Sequence, residues 1–254
     1  MAVAPEVAAT AFADTLQHMF NVAPVGWLQR EAGVLAAATG VPVATLNGVW
    51  IESLDPDAGL VAAMFDRLDA SQLPYCLQVR PGISSEITDQ AFARGMQHDH
   101  CVPVMVLEDS AQLEDAQKVT GLSIRRLEPS QRAEHIGVAA AAFGSPEELF
   151  DQLMTPKLLA GPGVRCYVGD ANGQSVTTGV GTTLGAFVGV FNIATLSAHR
   201  GRGYGAAMTA HVIYDGLAAG AEWAWLQSSP AGYNVYERLG FRTVELWDCW
   251  VLQP

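Results

Sequence analysis

One stretch near the end of the chain restricts the fold more than any other: Leu196-Ser197-Ala198-His199-Arg200-Gly201-Arg202-Gly203-Tyr204-Gly205-Ala206-Ala207. It joins an apolar, strand-like run, Phe187–Leu196, to a helix-like run ending near Leu217. Glycines permit a tight turn and a close backbone approach, and the start of a helix carries unbonded N–H groups and the positive end of its dipole. A strand, a glycine turn and a helix in that order make a cradle for a pyrophosphate, with two arginines adding charge.

The flanking pattern supplies a sheet for this cradle. Leu122–Leu127 reads as a strand, Pro129–Phe143 as a helix opened by proline, and Pro146–Met154 as a short helix. Val164–Val168, Ser175–Leu184 and Phe187–Leu196 read as strands, the first two joined through an Asn172-Gly173 turn. After the glycine loop and its helix come a strand, Glu222–Gln227, a helix, Gly232–Leu239, and a last strand, Thr243–Leu252. Consecutive strands followed by alternating strands and helices predict a mixed α/β fold, one sheet flanked by helices.

The first half echoes this tail. Thr45–Glu52, Tyr75–Val79 and Val102–Leu107 read as strands, and Gly59–Leu68 and Ser85–Arg94 as helices. Laying Gly95-Met96 over Gly240-Phe241 also lays Gly59 over Tyr204, the register expected of a duplicated unit. The polar segment Asp109–Gly121 separates the halves, so two domains are expected, 1–120 and 121–254. Where the second half has its arginines and glycines, the first has Leu54-Asp55-Pro56-Asp57-Ala58-Gly59. Two carboxylates repel a pyrophosphate and proline removes an N–H donor, so the first half is not expected to bind one.

Two phosphate loops compete for the glycine stretch. Gly201-Arg202-Gly203-Tyr204-Gly205-Ala206 meets the dinucleotide spacing G-x-G-x-x-[GA], and Glu222 follows at about the distance of a ribose-binding acid. That fold needs its turn after the first strand of a long doubly wound sheet, however, and only about fifty residues remain. A Walker loop fails for want of Gly-Lys-[Ser/Thr]. The loop instead resembles motif A of the GNAT acetyltransferases, [Q/R]-x-x-G-x-[G/A], through Arg200, Gly203 and Gly205. Tyr236-Glu237-Arg238-Leu239-Gly240-Phe241 is similar to that family's Y-x-x-x-G-F signature. The resemblance covers roughly residues 122–252, and the whole chain is similar to tandem GNAT proteins with a degenerate amino-terminal copy, each copy a mixed, mostly antiparallel sheet flanked by helices.

The resemblance implies an acetyl-CoA-dependent N-acetyltransferase that moves acetyl directly from the thioester to an amine, with acetyl-CoA as co-substrate and no metal. A non-catalytic acyl-CoA-binding protein is the alternative, and a longer acyl group stays open. By the same resemblance, the backbone at Ile193, Ala194 and Thr195 would pair with the pantetheine arm. Arg200, Gly201, Arg202, Gly203, Tyr204, Gly205 and Ala206 would hold the pyrophosphate, and Tyr236 would protonate the departing thiolate. Asn192, Glu148, Asp151 and the Pro254 carboxylate remain equal candidates for the base. Ser197 stands where the family commonly has proline. The first half would shape the acceptor cleft or a homodimer, and the acceptor, small molecule or peptide, would be chosen by the segment Pro129–Met154.

Composition narrows the rest. A formal charge of −12, with Lys118 and Lys157 the only lysines, argues against a nucleic-acid binder; it either suits cationic partners such as amines or serves only solubility. Cys76, Cys101, Cys166 and Cys249 form no C-x-x-C pair, which predicts reduced thiols in a cytoplasmic protein. Met1–Phe20 has neither a basic start nor a long apolar run, so neither a signal peptide nor a membrane span is expected. His98-Asp99-His100-Cys101 reads as a polar turn rather than a metal site, His211 as a core or boundary histidine, and Trp223, Trp225, Trp247 and Trp250 as sheet packing.

Overall fold

The computed structural model describes residues 2–116 and 118–253. In chain order the elements are α1 (Pro5–Val22), β1 (Trp27–Glu31), β2 (Val34–Ala38), β3 (Asn47–Ile51), α2 (Ala58–Asp69), β4 (Tyr75–Val79), α3 (Ser85–Ala93), β5 (Gln97–Leu107) and α4 (Leu113–Ala116). There follow β6 (Ser123–Arg126), α5 (Arg132–Phe143), α6 (Glu147–Leu153), α7 (Pro156–Leu159), β7 (Val164–Ala171), β8 (Gln174–Leu184), β9 (Phe187–Thr195), α8 (Tyr204–Ala218), β10 (Trp223–Gln227), α9 (Tyr233–Arg238) and β11 (Arg242–Leu252).

Contacts divide the chain into two compact units, a first of Ala4–Val104 with Thr243 onward, and a second centred on Met105–Arg242. The division falls inside β5 rather than near residue 120. Asp109–Gly121 is polar because it is a surface connection within the second unit, and α4 lies in it. The last strand is counted with the first unit because its backbone is laddered to β4, Asp248–Leu252 against Tyr75–Val79.

In the first unit the strand order is β1-β2-β3-β4-β11-β5, antiparallel at β1–β2, β2–β3 and β4–β11 and parallel at β3–β4. Val61, Met64, Phe65 and Leu68, spaced to share one face of α2, enter its core beside Val34, Val49, Ile51 and Leu77. α1, β1 and β2 precede the elements read from the sequence; α1 buries mainly small alanines, with Phe12 packing edge-on against Trp247 at 5.3 Å. Arg80, 2% exposed, bonds the Glu245 carboxylate at 2.8 and 2.9 Å, which supplies the partner a buried cation requires.

In the second unit the order is β5-β10-β9-β8-β7-β6, antiparallel from β6 to β9 and parallel at β9–β10. Neighbouring residues of β8 point to opposite faces, which separates the two main helices. A Cβ at Gly181 would lie 2.8 Å from Val212 of α8, so glycine there lets that helix approach closely. On the other face, Thr178 meets His135 of α5. Thr178 Oγ1 donates to the Tyr167 carbonyl, so it must accept from His135 Nδ1–H.

His135 is fully buried, and burial pushes its imidazole down to about 4 from 6.5. Its folded pKa therefore lies below the unfolded value, and the stability it contributes is complete above about pH 6.5 and lost as pH falls towards 4. Between pH 7 and pH 5 the loss expected from this group is roughly 2 kcal/mol. Urea titrations should show that His135→Asn removes this pH dependence; parallel losses in both proteins would assign it to another group.

Candidate active site

The site begins with an irregularity in β9. The register between β8 and β9 shifts between Thr178↔Ala194 and Val180↔Phe191, so Asn192 and Ile193 together oppose Gly179. Asn192 takes a positive φ of 50°, the mark of a β-bulge. Gly179 accommodates it: a Cβ at that position would sit 2.7 Å from the Ile193 side chain. β9 parts from β10 after Gly189, ahead of the bulge. Their parallel pairing joins Phe187–Gly189 to Trp223–Trp225, while β9 runs on to Thr195. Backbone groups of Ile193–Thr195 on that side are left to find other partners.

The chain then turns into α8. A short helical turn, Ser197–His199, leads to Gly201 at φ 75° and Gly203 at φ 82°, the latter standing at the helix N-cap with no capping side chain. Ala207 N–H closes the first helical bond on the Gly203 carbonyl at 2.9 Å. The amides ahead of it point out of the helix start, where the dipole favours an anion. Gly201, Arg202 and Gly203 are exposed, whereas the Tyr204 side chain is buried beside Ala171 and Val176. Val119 approaches from the side, 3.3 Å from where a Gly203 Cβ would lie.

Arg200 has a different task from its neighbours. Its Nε donates to the Thr195 carbonyl (3.0 Å), its Nη2 to the Ala142 carbonyl at the end of α5 (2.8 Å), and its amide to Ser197 (3.3 Å). The side chain thus fastens the loop, while Arg202, exposed and only 3.4 Å from the Ala198 carbonyl, is the freer cation.

Tyr236 lies on α9 and packs edge-on against Phe241 at 5.8 Å. Ile193, Ala206 and Tyr236 all border the same core cluster. Burial pushes the Tyr236 phenol up to about 12, so it keeps its proton at neutral pH. Among the described residues its hydroxyl has no protein partner. Of the candidate bases, Asp151 is ion-paired with Arg132 at 2.7 Å, Glu148 is exposed, and the Asn192 amide faces the Met154 sulfur at 3.8 Å. Pro254 lies outside the described residues.

The equivalent place in the first unit is closed. The Asp57 carboxylate caps α2 by accepting from Leu60 N–H at 2.8 Å, filling the position an anion would take. β3 also lacks the bulge: its register with β2 is continuous, and only Ile51 extends past its pairing with β4.

Residues 162–243, which contain the bulge, the glycine turn and Tyr236, match the family described as acetyltransferase (GNAT) domain. That match assigns residues 162–243, and not the whole chain, to a GNAT acetyltransferase domain. The fold of the chain is similar over 100% of its length to a GCN5-related N-acetyltransferase from Kribbella flavida, covering 97% of that chain, with a TM-score of 0.70 and 17% identity. A GCN5-related N-acetyltransferase from Sphaerobacter thermophilus is similar over 99% of this chain and 95% of its own (TM-score 0.61, 15% identity). A tandem GNAT protein from the clavulanic acid biosynthesis pathway is similar over 91% and 85% (TM-score 0.59, 15% identity). At such identities the likeness is one of fold. No curated protein matches the sequence. Among the described residues no helix is long and apolar enough to cross a membrane.

The GNAT domain and the first unit therefore start corresponding helices by different means, a left-handed glycine and a carboxylate cap. Asp57→Ala should lower stability by about 1 kcal/mol through loss of its cap. Gly203→Ala should cost about 1 kcal/mol through its positive φ. Urea unfolding measures both, and a neutral Gly203→Ala would mean that the turn does not require that conformation.

Proposed function

We propose that the protein is an acetyl-CoA-dependent N-acetyltransferase whose GNAT domain transfers acetyl directly from the thioester to an amine. The observation that carries this reading is the juxtaposition of a bare helix start with a strand edge that has lost its parallel neighbour. A coenzyme with a diphosphate followed by an amide-bearing arm requires both. The cradle fits the diphosphate because Gly203 has no Cβ to crowd Val119 or to hold a phosphate away from the amides.

In this reading the amides of Gly201, Arg202, Gly203, Tyr204, Gly205 and Ala206 receive the diphosphate, with Arg202 as the added cation and Arg200 holding the loop. Ile193, Ala194 and Thr195 receive the arm as an extra strand. When bound, acetyl-CoA supplies an activated acyl group. Tyr236 holds a proton at its phenol oxygen, and its task is to pass that proton to the leaving sulfur as the amine displaces it. The first unit, with Asp57 in its helix cap, binds no coenzyme. The acidic character of the chain, −12 overall, favours approach of a cationic amine acceptor.

Coenzyme release measured with a panel of amines, together with calorimetry of coenzyme A binding, tests the assignment. Tyr236→Phe should lower kcat by about 10²-fold or more while coenzyme A affinity stays within about twofold. Gly203→Glu should abolish coenzyme A binding with the fold retained, and Asp55→Ala should leave it unchanged. Normal turnover by Tyr236→Phe would remove that residue's role. Coenzyme A binding without release by any amine would favour the non-catalytic alternative, and unchanged affinity in Gly203→Glu would move the site elsewhere.

A further inference from the structure

The segment His98–Cys101 is not a turn. It lies in β5, and β11, its neighbour in the sheet of the first unit, brings a third side chain from far along the sequence. Asp248 Oδ1 stands 3.2 Å from His98 Nε2 and 3.3 Å from Cys101 Sγ, and the three potential ligand atoms all lie within 4.8 Å of one another. The sequence shows two of these residues together and gives no sign of the third, because only strand pairing places Asp248 there.

We propose that His98, Cys101 and Asp248 form a binding site for a divalent cation of the zinc class. The donors are an imidazole nitrogen, a sulfur and a carboxylate oxygen, a set that suits zinc and its borderline-soft relatives and not magnesium or calcium, which select oxygen. Bond lengths of about 2.0–2.3 Å in a tetrahedral site put ligand atoms about 3.3–3.8 Å apart. Both separations to Asp248 are close to that spacing before any metal is bound. His98 Nε2 and Cys101 Sγ lie within 4.8 Å of each other, and all three side chains are solvent-accessible. Trp250 supports the His98 ring edge-on at 5.4 Å, restricting its orientation. His100 is turned to Asp99, at 2.9 Å, and stands outside the group.

Without metal, one carboxylate oxygen accepts from both neighbours. The cation takes the place of those protons: the thiol proton is released to solvent, the imidazole carries its proton on Nδ1, and Nε2 presents a lone pair. Thiolate and carboxylate together balance the two positive charges, with solvent completing the coordination. The site would clamp β5 to β11 within the first unit.

Cobalt(II) is the probe, titrated into reduced, metal-free, full-length protein without a histidine tag. Binding of one equivalent with a near-ultraviolet thiolate-to-cobalt band, displaced by zinc, is expected. Cys101→Ser should abolish the band, and His98→Ala and Asp248→Asn should weaken zinc binding at least about tenfold in competition with a chromophoric chelator. His100→Ala should leave it unchanged. Circular dichroism confirms that the variants fold. Absence of the thiolate band in the wild-type protein, or a band that survives in Cys101→Ser, would overturn the proposal.

Discussion

A parallel strand pair that separates after three residues leaves polar backbone without a ladder, and a structure tolerates this only where something else satisfies those groups. In the GNAT domain the pairing with β10 ends at Gly189, and from Asn192 an inserted residue bends the strand further on. The opposite strand is shaped to match, since a Cβ at position 179 would press on the Ile193 and Met208 side chains, which would have to shift. The direction of β9 after the bulge fixes where the chain enters the glycine turn, and hence where α8 points its amides. Arg200 fastens this arrangement through the Thr195 and Ala142 carbonyls.

The two units show how little is needed to open or close such a site. Both have an antiparallel, antiparallel and parallel succession, β1-β2-β3-β4 in one and β7-β8-β9-β10 in the other, with a helix connecting the parallel pair. In the first, β3 keeps an unbroken register and its helix is capped by its own carboxylate. Two local differences, a missing bulge and one aspartate, distinguish the capped helix start of the first unit from the uncapped one of the second. The same backbone succession therefore does not by itself carry the chemistry.

Elements with a strong period or a special turn were legible in the sequence. The Asn172-Gly173 turn appears with φ of 52° and 77°, and β7, β8, β9 and α8 begin and end within a few residues of expectation. What required coordinates was pairing at a distance. Nothing near Asp109–Gly121 reveals that β11 ladders with β4, and nothing near Asn192 announces a bulge, because the evidence for it lies in the register with Gly179. The arginines of the loop were legible as charge but not as geometry: Arg200 spends its donors on carbonyls. α1 is missing from the sequence reading although it has a largely apolar face of Ala8, Ala9, Phe12 and Thr15 as well marked as that of α2.

Under the proposed function, the acidity of the chain bears on how its helix start would hold a coenzyme. Coenzyme A is an anion, and a protein of charge −12 repels it at long range. Attraction must then come from short-range bonds at the helix start, where several amides converge and salt screens little of what they contribute. Amides also suit this role better than lysines would. They are fixed in place by the backbone, cost no side-chain entropy on binding, and leave the surrounding field negative. A cationic amine acceptor would be drawn by that same field. Under the proposed function the two substrates would thus be recognised by opposite means, one by a local cradle set against the prevailing charge and the other by the prevailing charge itself.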